Sequence, residues 1–188
     1  MNSPDVAPDW FALTVRPQHE KAVQRYLTER LIEAYVPLHT VSRRWSDRVK
    51  AVDVALFPRY VFCRSAFEDR FTVLRAPGVQ SIVSFGGMPA AISDSEIEAL
   101  KCLIASKLPL RLWPYLYVGA GVRIRSGPLA GLEGIVVREK SACRVVVSVN
   151  ALQRSVAVEV EESLLEPVRG SIFEHSTGNE TAPQFGRI

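Results

Sequence analysis

Short valine-rich segments dominate the last third of the chain, and they constrain its fold more than any other feature. VRIRS, GIVVRE, RVVVSV and SVAVEV follow one another between residues 119 and 168, with glycine-rich or polar turns between them. β-branched side chains lose rotameric freedom in a helix and fit the pleated surface of a sheet. Several such segments in succession predict a small antiparallel β-barrel over 119–168.

The first part of the chain has a different pattern, in which strand-like and helix-like segments are mixed. WFALTV at 10–15 and LFPRYVF at 56–62 are typical of strands, and apolar residues recur at helical spacing from His19 to Arg30. Ser93 and Glu96 have the spacing of a capping box, which predicts the start of another helix. We therefore expect an α+β fold, with a mixed antiparallel sheet and flanking helices over 10–106 that precede the barrel.

The segments between and around these two regions lack either periodicity. KLPLRLWPYLYV at 107–118 holds two prolines and no helical period, which predicts a linker. The residues at 1–9 are expected to form a flexible tail, and the polar residues at 169–188 a disordered one. VSRRWSDRVKAVD at 41–53 has turn residues at its centre, which indicates a protruding hairpin.

The composition argues against an enzyme, a metal site or a cofactor site. The histidines are scattered, and no HExxH, GxSxG or metal-ligand spacing is found. Cys63, Cys102 and Cys143 are dispersed, which favours reduced thiols in a cytoplasmic protein. No signal peptide or membrane-spanning run is evident, and the net charge of +3 does not by itself require a nucleic-acid partner.

The stretch GVRIRSGPLAGLEGIVV at 121–137 closely resembles the KOW motif of small SH3-like barrels. Val122 and Ile124 alternate with arginines, so one side of this strand is expected to face a core. Gly127, Gly131 and Gly134 fall where positive φ or close backbone approach excludes a side chain. The alternative is that any small barrel needs glycines at its tight corners.

Several segments of the first region resemble, in order and spacing, the N-terminal domain of the NusG family. They are WFALTV at 10–15, LFPRYVF at 56–62, PGV at 77–79, FGG at 85–87 and AISDSEI at 91–97. The run RRWSDRVK followed by LFPRYVF is most similar to the specialised UpxY-like and RfaH-like antiterminators. The resemblance implies a non-enzymatic transcription elongation or antitermination factor that binds RNA polymerase and suppresses pausing or termination, at a specialised set of operons.

The resemblance also implies which residues bind the polymerase. An apolar depression on the sheet would hold the clamp helices of the polymerase, and a further segment would touch its gate loop. The matching positions are Phe57, Pro58, Tyr60, Phe62 and Phe85 for the depression, and Asp69 and Arg70 for the gate loop. The alternative is that some of these aromatic residues belong to the core. At position 59 the family usually has glycine, where this chain has arginine.

A second set of residues is a candidate for binding the non-template DNA strand of the transcription bubble. Arginine and lysine contact phosphates, and tryptophan stacks on bases. The set is Arg16, Arg43, Arg44, Trp45, Arg48 and Lys50. An equally open alternative is a solvated hairpin with ordinary surface arginines.

In the barrel, the turn NALQR at 150–154 matches the family's docking loop for a ribosomal protein or for Rho. Leu152 and Arg154 would make that contact, although Gln153 replaces the familiar glycine. The valine content further predicts that 119–168 does not form a helical hairpin over the polymerase-binding site. We therefore expect this site to be uncovered. We also expect the chain to be a monomer. The alternative function is a KOW-type RNA-binding ribosomal or ribosome-assembly protein. That class should have a lysine-rich barrel, and Lys140 is the only lysine at 119–168.

Overall fold

A computed structural model describes residues 8–44, 49–66, 69–113, 115, 119–139 and 142–168. The helices are α1 (Glu20–Thr28), α2 (Arg70–Leu74) and α3 (Asp94–Ala105). The strands before α3 are β1 (Asp9–Val15), β2 (Glu33–Tyr35), β3 (Leu38–Arg44), β4 (Val49–Ala55), β5 (Tyr60–Ser65), β6 (Val79–Ile82), β7 (Ser84–Phe85), β8 (Met88–Pro89) and β9 (Ala91–Ile92). Those after α3 are β10 (Leu110–Trp113), β11 (Gly121–Ile124), β12 (Glu133–Glu139), β13 (Ala142–Val149), β14 (Arg154–Val160) and β15 (Leu165–Pro167).

Strand β1 is the centre of the first sheet. It pairs antiparallel with β5 along one edge, β6 and β9 share its other edge, and β2 pairs with the far side of β5. Because this strand is covered on both faces, its sequence is almost continuously apolar instead of alternating. Asp9, which was expected in a flexible tail, begins β1 and pairs with Ser65.

Side chains alternate between the two faces of this sheet. On one face, Leu13 and Val61 pack with Val23 and Leu27 of α1 and with Val73 of α2. We call this the α1/α2 face. The other face carries most of the aromatic side chains of the sheet, and we call it the aromatic face. Its residues are Trp10, Ala12, Tyr35, Tyr60, Phe62 and Ile92.

Helix α3 begins at the capping box that the sequence predicted. The Ser93 hydroxyl accepts a hydrogen bond from the Glu96 amide at 3.2 Å, and Glu96 Oε2 accepts one from the Ser93 amide at 3.2 Å. These two bonds satisfy amide donors that a helix N-terminus leaves without partners. The helix buries Ile97, Leu100 and Leu103 in the same apolar cluster as the aromatic face.

Two hairpins form small sheets of their own. β3 and β4 pair from Leu38↔Ala55 to Arg44↔Val49, which confirms the predicted hairpin; its tip, 45–48, lies outside the described residues. β7 and β8 are joined by Gly86 and Gly87, with φ of 58° and 81°. Positive φ at both central positions matches the turn that suits the twist of a two-residue hairpin.

The segments after α3 form a six-stranded antiparallel sheet in the order β10-β14-β13-β12-β11-β15, which we call the C-terminal sheet. The strands expected from the valine-rich segments are therefore confirmed. The glycines act as predicted: Gly127 and Gly131 have φ of 88° and 84°, and a Cβ on Gly134 would lie 2.6 Å from the Val146 carbonyl oxygen. Any side chain at Gly134 would collide with backbone between β12 and β13.

The linker prediction for 107–118 is wrong over Leu110–Trp113, because these residues are β10 and pair with β14. The two prolines that suggested a linker flank this strand and do not interrupt it. Within the described ranges, none of the helices combines the length and the apolar character that crossing a bilayer requires.

Candidate functional site

The aromatic face is an apolar surface with polar groups at its rim. Phe62 lies at its centre, with its ring centroid 6.1 Å from Phe57 in an edge-on arrangement and 6.4 Å from Tyr35. At the rim, the Trp10 indole N–H donates to Asp94 Oδ1 at 3.0 Å, and Arg64 donates to Asp94 Oδ2 at 3.1 Å. Clustered aromatic rings with polar groups are typical of protein–protein interfaces.

The C-terminal sheet covers this face. Its turn at 150–154 contributes Ala151 and Leu152 to the same buried cluster as Phe62. The Asn150 amide donates to Glu96 Oε1 at 3.0 Å, and the Arg154 guanidinium lies 5.5 Å from the centre of the Tyr60 ring. The expectation of an uncovered face is therefore wrong, because this turn of the C-terminal sheet covers it.

The junction is not filled throughout. A cleft of about 850 Å³ lies between α3 and the C-terminal sheet, lined by residues such as Ser95, Cys102, Gly134 and Ser148. The cleft limits the area over which α3 and the C-terminal sheet are in contact.

The structure divides the predicted polymerase-binding set among three places. Phe57 and Phe62 are completely buried in the cluster behind the turn, Tyr60 is half-buried, and Pro58 is exposed. Phe85 lies on the β7–β8 hairpin with 57% of its surface exposed, outside that cluster. For Phe57, the alternative of a core residue describes the geometry better than that of an exposed anchor.

The other two residues of that set lie at the start of α2. Asp69 is the N-cap residue without a side-chain capping bond, and the Arg70 guanidinium lies 4.5 Å from the centre of the exposed Phe71 ring. The buried residue of α2, Val73, packs on the α1/α2 face. A partner would therefore have to contact two sides of the sheet to reach both Tyr60 and Arg70.

The predicted DNA-binding residues lie in two places. Arg44 and Lys50 are exposed on the β3–β4 hairpin, where Arg43 pairs with Lys50 through the backbone. Trp45 and Arg48 lie outside the described residues. Arg16 follows β1 and is exposed, with its amide donating to the Gly78 carbonyl at 2.8 Å.

Two positions where the family usually has glycine adopt left-handed backbone conformations here. Arg59 has φ of 70° and Gln153 has φ of 49°. A side chain in this region costs about 1–2 kcal/mol. Local bonds offset part of that cost: the Arg59 amide donates to Glu20 Oε1 at 2.8 Å, and Gln153 Nε2 donates to the Asn150 carbonyl at 2.9 Å. The turns that present Tyr60 and Arg154 thus keep the backbone shape that glycine would allow.

The predicted barrel contacts point toward the aromatic face. Leu152 is only 8% exposed within the shared cluster, so it cannot bind another protein in this arrangement. Arg154 is exposed beside Tyr60. The contact between Glu96 and Asn150, which joins the two regions, was not predicted from the sequence. The capping box at 93–96 indicated that the Glu96 carboxylate accepts a bond from the Ser93 amide. No residue pattern near Asn150 indicated that the same carboxylate also accepts a bond from the Asn150 amide.

The Cys63 thiol on the α1/α2 face and the Tyr35 phenol on the aromatic face are not poised for chemistry. Burial raises the pKa of Cys63 to about 12, against a smaller opposing effect of a hydrogen bond with Ser65. Burial, together with the nearby Glu98 carboxylate, raises the pKa of Tyr35 to about 12. A nucleophile or a general base needs the opposite shift, toward neutral pH.

Comparison with known proteins identifies the family. Residues 8–101, half of the chain, match the family described as transcription termination factor NusG. The transcription termination/antitermination protein NusG of Lactococcus lactis subsp. lactis (strain IL1403) is 24% identical over 175 residues, covering 85% of this chain and 93% of that protein. The protein of the same name from Staphylococcus carnosus (strain TM300) is 25% identical over 175 residues, covering 85% and 96%.

A solved structure described as domain interaction in Thermotoga maritima NusG has a similar fold. It superposes with a TM-score of 0.50 at 22% identity, covering 86% of this chain and 97% of that one. These matches confirm the predicted resemblance and do not favour the ribosomal alternative. They agree with the expectation of a non-enzymatic factor, because proteins of this family are transcription factors. With an α+β fold of antiparallel sheets and few helices, and with half of its length matched, the chain belongs to the NusG family.

Proposed function

We propose that this chain is a transcription elongation and antitermination factor that binds RNA polymerase through the aromatic face, and that it serves a specialised set of operons. In this proposal 10–106 is the polymerase-binding domain and 119–168 is a KOW-type barrel. The observation that carries the proposal is the cover on the aromatic face: a contact made by a turn from a distant part of the chain, which itself resembles a docking loop.

The proposed polymerase site is shaped for an apolar helical partner. Tyr60 and Phe62 stand on adjacent outward positions of β5, with Trp10 beside them on β1. Aromatic anchors that are surrounded by polar rim groups fit the exposed ridge of a partner helix. Departure of the turn at 150–154 would free Tyr60 from Arg154 and open this surface.

Suppression of pausing then needs no chemistry. A factor that binds one polymerase conformation better than another shifts the equilibrium by its difference in affinity. In the proposal the aromatic face holds the clamp helices, while Asp69 and Arg70 reach the gate loop from α2. Bridging the two elements would close the DNA channel and disfavour the paused conformation.

Two tyrosines of opposite faces provide the test. Tyr60 on β5 and Tyr26 on α1 are both half-buried, and each has an arginine guanidinium over its ring, at 5.5 Å and 3.5 Å respectively. Tyr60→Ala should weaken binding to bacterial core RNA polymerase by about 10-fold or more, as loss of an aromatic anchor does. Tyr26→Ala should not, in spite of a similar loss of ring contacts. Equal binding by both folded variants would contradict the proposal.

A second variant separates binding from masking. Ala151 is 6% exposed where the turn contacts the cluster, so Ala151→Glu should drive the C-terminal sheet away by burying a charge. We expect this variant to bind polymerase more tightly than the wild-type chain. Weaker binding by a chain that keeps its circular dichroism would mean that the turn helps polymerase binding and does not mask the site.

We further propose that the β3–β4 hairpin contacts the non-template DNA strand. Arg43→Ala, Arg44→Ala and Arg48→Ala together should reduce cross-linking to bubble DNA and spare polymerase binding. The difference from wild type should shrink as salt rises, since phosphate contacts act largely through counterion release, with a slope of about 0.7 per contact on single strands. The charge-matched control changes Arg123, Arg125 and Arg138 of the C-terminal sheet to alanine and should leave cross-linking unchanged.

Once the turn leaves the aromatic face, Leu152 and Arg154 become available. We propose that they then contact a ribosomal protein or Rho, so that one movement exposes two binding surfaces. Because both surfaces are released together, polymerase can bind the aromatic face while the second partner binds the turn at 150–154.

A further inference from the structure

Strand β10 joins the two regions of the molecule in an unusual way. Four residues, 106–109, separate it from the end of α3. It pairs with β14 in the register Leu110↔Val158 to Trp113↔Ser155. It is an edge strand, since only β14 is its neighbour within the described sheet. Pro109 precedes it and Pro114 follows it in the sequence. Proline has no amide N–H to donate, so neither end can readily extend the ladder.

Two side chains, Trp113 and Tyr115, hold this segment close to the turn at 150–154. The Arg144 guanidinium lies 5.5 Å from the centre of the Trp113 ring. The Tyr115 hydroxyl donates to Asn150 Oδ1 at 2.8 Å, and the Asn150 amide donates to Glu96 on α3. The segment, the turn and α3 are thus connected through one asparagine.

The pairing of β10 determines the length of the tether between the two regions. With β10 in place, 106–109 span at most about 18 Å between Ala105 and Leu110. With β10 released, the chain from Ala105 to Gly121 spans up to about 55 Å. The C-terminal sheet can therefore move well away from the aromatic face only when β10 has left β14.

The strand is suited to release. It has four residues, and Leu112 leaves 51% of its surface exposed although it lies within a strand. A short edge strand held on one side is at the low end of local stability. The cross-strand partners Val156 and Val158 belong to the core of the C-terminal sheet and do not depend on β10 for their own pairing with β13.

We infer that β10 is a releasable strap that controls whether the C-terminal sheet stays on the aromatic face. Paired, it keeps the turn at 150–154 at high effective concentration over the sheet. Released, it lengthens the tether from four residues to fifteen, 106–120, and the effective concentration falls with about the −3/2 power of length. This inference rests on the proposed function only for the identity of the partner that binds the opened aromatic face.

Hydrogen exchange of the full-length chain, followed by NMR, tests the strap without polymerase. The variant Leu110→Gly, Arg111→Ser, Leu112→Gly and Trp113→Ser weakens β10 at constant chain length. The Asn150 amide, which is bonded to Glu96 only when the turn is docked, should exchange about 5- to 10-fold faster. Amides between β1 and β5 should be unchanged. A matched control, Leu112→Thr, keeps β propensity at the half-exposed position and should leave Asn150 protected.

A second variant lengthens the tether and leaves the strap sequence intact. Insertion of Gly-Ser-Gly-Ser between Ser106 and Lys107 should accelerate Asn150 exchange in the same direction. An unchanged Asn150 rate in the quadruple variant overturns the inference. Acceleration in the quadruple variant without any in the insertion variant overturns the tether argument. Polymerase titration is a separate measurement: faster exchange without tighter polymerase binding would contradict the proposed function and leave the strap in place.

Discussion

The two faces of the first sheet are both buried, but they are covered by different parts of the chain. The α1/α2 face is closed by helices whose residues lie between the strands of the same sheet, 20–28 and 70–74. The aromatic face is closed in part by α3 and in part by a turn from beyond residue 149. Helices α1 and α2 cannot leave their face without unfolding the sheet, because the chain connects them directly to its strands. The turn can leave the aromatic face, because it belongs to a distant part of the chain.

The chemistry of the two faces follows the same division. Apart from Cys63 and the half-buried Tyr26, the side chains that pack on the α1/α2 face, such as Leu13, Val15 and Val61, carry no polar atoms. The aromatic face holds an indole N–H, two tyrosine hydroxyls and a rim of charges. Such rings can lie against either protein or water at modest cost. A permanent core and an exchangeable surface can therefore be told apart by side-chain type as well as by cover.

The largest predicted effect is a loss of stability that differs between a residue of α1 and a residue of the turn at 150–154. Leu27→Ala removes a completely buried side chain of α1 and should lower the free energy of unfolding by about 3 kcal/mol. Leu152→Ala should cost about half as much, because Leu152 keeps 8% of its surface exposed, whereas Leu27 is completely buried. Urea unfolding measures both values. Equal losses would show that the turn is as integral to the fold as α1.

An intermediate effect isolates the contact between α3 and the turn. Ser93→Ala and Glu96→Ala each break the capping box and should each cost about 1 kcal/mol of stability. Only Glu96→Ala also removes the acceptor of the Asn150 amide, so only this variant should accelerate exchange at Asn150. If Ser93→Ala has the same effect on Asn150, docking depends on the helix terminus as a whole and not on the Glu96 carboxylate.

The smallest effect concerns Tyr35 on the aromatic face. Its hydroxyl is buried and has no hydrogen-bond partner among the described residues. Tyr35→Phe should therefore stabilise the chain, by up to about 1 kcal/mol, since a buried hydroxyl without a partner is costly.

The same variant should change the response to alkaline pH. Because burial and then Glu98 raise the pKa of Tyr35 to about 12, the folded chain keeps the phenol protonated where the unfolded chain ionises. The Tyr35 contribution to stability is complete below pH 10 and is lost as pH rises from 10 to 12. Tyr35→Phe should remove that part of the alkaline loss. An unaltered pH profile between wild type and variant would contradict the assigned shift.

Features with a local signal were predictable from sequence. The capping box at Ser93, the β3–β4 hairpin and the valine-rich strands each depend on residues that are close together in the chain. The glycines at 127 and 131 were likewise recognisable, because positive φ selects glycine within a single turn.

Features set by distant partners were not predictable. Strand β10 was mistaken for linker because its prolines are visible in the sequence, whereas its pairing with β14 is tertiary. The contact between Glu96 and Asn150 joins residues 54 positions apart. Arg59 concealed a left-handed turn, since the arginine itself gives no sign of positive φ and only the glycine usual in the family at this position does. The DNA-binding prediction for Arg16, Arg43, Arg44, Trp45, Arg48 and Lys50 stays a prediction.

The central position of β1 has a consequence for how the chain folds as it is synthesised. β1 is made first, yet its partners β5, β6 and β9 follow much later, the last of them ending at Ile92. At a translation rate of about 5–20 residues per second, the strand waits roughly 4–15 seconds for that partner. Until β5 has been made, WFALTV is an unpaired apolar segment without a charge, the kind that associates with other chains. Slow synthesis or truncation before β5 should therefore lead to aggregation, and holdase chaperones should bind the nascent chain at its N-terminal end.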